Sequence, residues 1–131
     1  MKNKKLLLLV IVLVLLSLIF SACGNVPSAK STFPTGKFVL PGLDSEGIYF
    51  GDDGTWYAFY YGANVAEGTY SVKEDLYIEE SNNSNCGKSP MSFKYTFDGT
   101  NLKFDLTDES KNDTCENRRL SFDGITYVLT K

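Results

Sequence analysis

The chain has 131 residues, 13 basic against 16 acidic, a formal net charge of −3, and no histidine. Without histidine there is no Ser-His or Cys-His nucleophile and no imidazole metal ligand. The basic residues of its body are scattered, with only Arg118 and Arg119 adjacent, so it carries no electrostatic footprint for nucleic acid.

The N-terminus has its own composition. Lys2, Lys4 and Lys5 precede a run from Leu6 to Phe20 in which every residue but Ser17 is apolar, and the small residues Ser21 and Ala22 follow. A basic segment, an apolar segment and small residues, in that order, form a secretory signal, expected over residues 1–22. The apolar run of about 15 residues is shorter than the ~20 that span a bilayer as a helix. Counted through Ala22 it reaches the lower limit, so a retained signal anchor stays open. Ser21, Ala22, Cys23 and Gly24 resemble the lipobox of bacterial lipoproteins, with Phe20 where leucine is usual. The resemblance implies a diacylglyceryl group on Cys23, cleavage before it, and a fatty-acyl (palmitate-type) hold on the cell membrane, facing the extracytoplasmic side. The plainer reading is an ordinary signal with an incidental cysteine.

Cleavage before Cys23 leaves 109 residues, enough for one domain. It also removes three lysines, giving a net charge near −6 that does not draw the domain to anionic lipid. Residues 23–35, with Pro27, Pro34 and many small polar side chains, are expected to pack nothing and to act as a tether. With Cys23 assigned to a lipid, Cys86 and Cys115 remain as a pair. Outside the cytoplasm a disulfide between them persists, and closing a loop of about 30 residues contributes roughly 3.5 kcal/mol on the chain-entropy model. Two free thiols, or two thiolate metal ligands, are the poorer alternative, and no metal or other cofactor is expected.

From Gly36 to Lys131 the pattern is that of strands. In chain order the runs are Lys37–Leu40, Gly47–Phe50, Thr55–Tyr61, Val65–Val72, Leu76–Glu79, Ser92–Phe97, Leu102–Thr107, Arg119–Phe122 and Ile125–Leu129. Phe93, Tyr95 and Phe97 alternate with polar residues, as do Leu102, Phe104 and Leu106. Asp98 and Gly99 between them supply a tight hairpin turn. Asp53-Gly54 and Asp123-Gly124 repeat that turn chemistry. No ten-residue window carries helical periodicity. Eight or nine short antiparallel strands close most simply into a small up-and-down β-barrel, with a β-sandwich as the alternative.

Asp53-Gly54-Thr55-Trp56, Gly68-Thr69-Tyr70, Cys86, Phe97-Asp98-Gly99 and Asp113-Thr114-Cys115-Glu116-Asn117-Arg118 occur in an order that resembles a lipocalin-like family of small secreted bacterial domains. The resemblance covers about 70 residues and implies a calycin-type barrel able to take an apolar ligand. The strands are short, however, and their many aromatic rings could fill the interior completely.

Candidate binding residues are Trp56, Tyr57, Phe59 and Tyr61, where alternation sends Trp56 to one face and the other three to the opposite one, and Arg118. The aromatic run is either a binding patch or ordinary two-sided strand packing. Arg118 is either a structural partner of a ring or carboxylate, or a contact for an anionic head group. The acidic segment from Asp108 to Glu116 lacks calcium-loop spacing and reads as a solvated loop. Nothing points to catalysis, so the expectation is a non-enzymatic, monomeric lipoprotein whose barrel binds a small apolar or amphipathic ligand. The alternative is a filled barrel acting through its surface as a protein-interaction module or inhibitor. The two differ in one observable, an internal cavity.

Overall fold

The computed structural model describes residues 33–82, 86 and 89–131. Eight antiparallel strands close into a barrel: β1 (Gly36–Leu40), β2 (Leu43–Phe50), β3 (Thr55–Tyr60), β4 (Ala63–Lys73), β5 (Leu76–Ser81), β6 (Met91–Phe97), β7 (Asn101–Leu106) and β8 (Thr126–Leu129). Each strand pairs with its neighbours in sequence. Closure comes from β1 against β8, where Phe38 faces Leu129 and Val39 faces Val128. Barrel closure removes both sheet edges. The expected signal at 1–22 and the lipid site at Cys23 lie outside the described residues.

Side-chain carboxylates set the turns. Asp98 Oδ1 accepts from the backbone N–H groups of Thr100 (2.9 Å) and Asn101 (2.7 Å), beside Gly99 at φ 99°. Asp53 Oδ1 accepts from the Thr55 N–H (3.0 Å) and hydroxyl (2.6 Å), beside Gly54 at φ 83°. Each carboxylate mimics a backbone turn, which is why Asp-Gly works at both places. The third Asp-Gly differs. The run Arg119–Phe122, expected as a strand, lies in a short helix, α1 (Glu116–Phe122), and Asp123 ends it. Cys115, Arg118 and Phe122 are the buried residues of this stretch, at spacings of three and four, whereas Leu120 is 57% exposed. The helical stripe exists, but one of its members is an arginine, so hydropathy alone hides it.

The interior has two unlike halves. At the end carrying the β2–β3, β4–β5 and β6–β7 turns, aromatic rings fill the barrel. Phe33 plugs this end, 5.0 Å from the Phe50 ring, 5.3 Å from Tyr77 and 5.0 Å from Tyr95. It belongs to the stretch expected to pack nothing, and its burial extends the domain N-terminally by at least three residues. Phe122 enters from α1 and stacks on Phe93 at 4.4 Å, with Phe104 edge-on at 4.8 Å. Beyond Phe122, toward the β1–β2 and β3–β4 hairpins, the rings give out and the barrel is hollow.

Candidate functional site

The hollow half is a cavity of about 710 Å³. Its apolar wall is built from inward positions of the first strands: Leu40 on β1, Ile48 on β2, Trp56 and Ala58 on β3, and Ala66 on β4. The small Ala58 and Ala66, paired across β3 and β4, leave room that larger side chains would occupy. The opposite wall is α1 with the disulfide beneath it. Cys86 and Cys115 are bonded, their Cα atoms 4.7 Å apart, and both border the cavity. The bridge ties α1 to the connection leaving β5.

Trp56 is held in place by its surroundings. Its indole N–H donates to the Thr69 carbonyl at 3.2 Å, and Gly68 opposite it has no side chain to interfere. A Cβ at Gly68 would stand 2.0 Å from the Glu80 carbonyl oxygen and 2.9 Å from Trp56 Nε1. Close backbone approach therefore explains the glycine of Gly68-Thr69-Tyr70.

A buried charge cluster borders the cavity on the β5 side. Tyr77, Glu79 and Ser81 point inward from β5, and Glu79 is only 1% exposed. Arg118 reaches in from α1 and is claimed by Asp113, its Nε donating to Oδ2 at 2.5 Å and its Nη2 to Oδ1 at 2.8 Å. Its Nη1 donates to the Ser89 carbonyl at 3.4 Å. Asp113 also accepts from the Cys115 N–H at 3.0 Å. Two-point pairing with a planar guanidinium is the strong form of the ion pair. Burial pushes the Asp113 carboxyl up, but the hydrogen bonds from Arg118 and Cys115 outweigh it and hold that carboxyl below its ordinary value.

Glu79 has no comparable partner. Its Oε2 accepts from the Tyr77 hydroxyl at 3.4 Å; its Oε1 lies 3.6 Å from Arg118 Nε and accepts no hydrogen bond among the described residues. Burial raises its pKa to about 8, against the pull of Arg118 and Tyr77, with Asp113 adding to the rise. Burial, and then Glu79, likewise push up the hydroxyl of Tyr127, which donates to the Ser121 carbonyl at 3.0 Å.

Of the candidates from the sequence, Trp56, Arg118, Cys86 and Cys115 converge on this cavity. Tyr57 and Phe59 lie on the barrel's outside, Tyr57 stacked on Tyr49 at 5.1 Å and Phe59 under the Lys37 ammonium at 4.9 Å. Tyr61 occupies the β3–β4 turn at φ 48°, 71% exposed. Glu79 and Asp113 went unnoticed as site residues. The signal for Asp113 was its five-residue spacing from Arg118; for Glu79 it was the parity it shares with Tyr77.

In comparisons with known proteins, no family model, curated protein or solved structure matches this chain.

Proposed function

We propose that this chain is a membrane-anchored lipoprotein of the extracytoplasmic side, lipidated on Cys23, whose lipocalin-like barrel binds a small amphipathic molecule without transforming it. The supporting observation is the cavity: about 710 Å³, apolar on one wall, with buried polar groups gathered on the other. Small-molecule sites commonly measure about 300–1,000 Å³ and combine these two features. The aromatic plug makes the site one-ended. Val65 and Leu120, 56% and 57% exposed, border the cavity on its outer side, which suits entry of an apolar body.

The test is to extract the full chain from membranes in polymer-bounded bilayer discs and identify co-purifying small molecules by mass spectrometry. Ala58→Trp, which fills the hollow half, is the comparison. A species enriched on the wild-type chain and lost from the variant is expected; identical profiles would refute the carrier reading. The same spectra weigh the N-terminus. An acylated Cys23 is expected, and Cys23→Ser should abolish both acylation and membrane retention.

The surface-module reading draws on the Tyr49–Tyr57 stack, with Tyr49 36% exposed. It predicts that Tyr49→Ser with Tyr57→Ser removes a protein partner and leaves the cavity's contents unchanged.

A further inference from the structure

The carrier reading leaves open what kind of head group the cavity receives, and the charge cluster bears on it. Among the described residues that line the cavity, Arg118 is the only basic one. Its Nε and Nη2 donate to Asp113 and its Nη1 to the Ser89 carbonyl, so the Arg118–Asp113 pair is internally neutral. Glu79 then stands as a second carboxyl beside one already satisfied cation. Glu79 lines the cavity, and its Oε1 is buried and accepts no hydrogen bond from the described residues. The groups facing it are Tyr77 on its own strand, Asp113 before α1, Arg118 on α1 and Tyr127 on β8. Farther along the wall Glu116 adds another negative side chain. An anionic head group would meet the carboxyls of Glu79 and Glu116 and a guanidinium whose charge is already paired with Asp113. A cation would meet an acceptor in need of a donor, with Trp56, Phe122 and Tyr127 bordering the same space.

We propose that the molecule this cavity takes is an amphipathic organic cation, its ammonium against Glu79 and its apolar body against Ile48, Trp56, Ala58 and Phe122. The inference rests on the carrier reading and fixes the ligand's charge within it. Binding needs Glu79 ionised. The complex then balances two carboxylates with one guanidinium and one ammonium, which removes the penalty of an unpaired buried charge.

Trp56 is the chain's single tryptophan and borders the cavity, so its emission reports occupancy directly. The full chain in phosphatidylcholine vesicles is titrated with three probes of one shape: 1-adamantanamine, 1-adamantanol and 1-adamantanecarboxylate. The amine is expected to bind tightest at pH 9, at least ~10-fold over the alcohol, since a charge-assisted hydrogen bond replaces a neutral one. Its affinity should rise from pH 6 to pH 9 by up to ~90-fold, because only the ionised fraction of a carboxyl with pKa about 8 is competent. Glu79→Gln should bring amine and alcohol to parity and flatten the pH profile. Equal binding of amine and alcohol by the wild type, a pH-independent amine affinity, or preference for the carboxylate would overturn the cationic ligand and leave the carrier reading intact. Silence from all three probes would overturn the carrier reading itself. The wild-type profiles decide the matter even if the variant does not fold.

Discussion

Glu79 Oε1 lies 3.6 Å from Arg118 Nε, yet that N–H donates to Asp113 on its other flank. Two buried carboxyls thus compete for one guanidinium, and the better-placed one takes its Nε–Nη2 edge. The loser is the group that borders the cavity. The energetic consequences can be measured one side chain at a time.

The proton on Glu79 couples stability to pH. Burial raises its pKa in the fold to about 8 from an ordinary 4.5. Between those values the folded protein holds a proton that the unfolded chain has released, so stability falls as pH rises. The contribution is complete below about pH 4.5 and gone above about pH 8, an effect of up to ~5 kcal/mol across the window. Asp113 acts at the opposite end: its pKa is depressed, so its contribution is lost as pH falls through the acidic range. Urea melts from pH 4.5 to 9 should show the decline, and Glu79→Gln should abolish it and be the more stable protein at pH 9. A flat wild-type curve would refute the assignment.

Removing Arg118 takes from Asp113 its two-point partner and from Glu79 the guanidinium beside it. Breaking a buried ion pair this way costs about 3–5 kcal/mol. Arg118→Ala is expected to lower the free energy of urea unfolding at pH 7 by that amount. Arg118→Lys should recover little, because a single ammonium cannot meet both Asp113 oxygens from Nε and Nη2 positions. Full recovery by lysine would show that only the charge matters.

The Cys86–Cys115 bridge joins residues 29 apart in the chain, and both partners border the cavity. The chain-entropy model assigns such a loop about 3.5 kcal/mol. The double variant Cys86→Ser, Cys115→Ser should lose roughly this much stability in denaturation without reductant. Hydrogen exchange should also accelerate first in α1, the element the bridge ties down.

Gly68→Ala tests close packing behind Trp56. The added Cβ would press on the Glu80 carbonyl oxygen, which is backbone and cannot swing aside. A destabilisation of about 1–3 kcal/mol is expected. Trp56 emission should shift to the red as the indole N–H loses its contact with Thr69. Unchanged stability and emission would disprove the steric account.

Much of this was legible from one-dimensional pattern. The β6–β7 hairpin followed from alternation on both sides of Asp98-Gly99, because a two-residue period puts Phe93, Leu102 and Phe104 on one face wherever the strands end up. Strand β5 went the other way. Leu76 and Ile78 offer an apolar parity, yet Tyr77, Glu79 and Ser81 are the buried set. An inward carboxyl contradicts hydropathy and is tolerated because Arg118, 39 positions later, lies beside it. The same blindness hid α1, whose buried stripe includes that arginine.

The sequence by itself determined the turns at Asp53-Gly54 and Asp98-Gly99 and the strands that flank them, since local backbone chemistry and two-fold periodicity act without reference to distant neighbours. Only the tertiary structure decided that the barrel is packed at one end and hollow at the other. Whether rings fill an interior depends on which distant side chains share its cross-section, and here Ala58 and Ala66 face α1 where another aromatic residue would have closed the space.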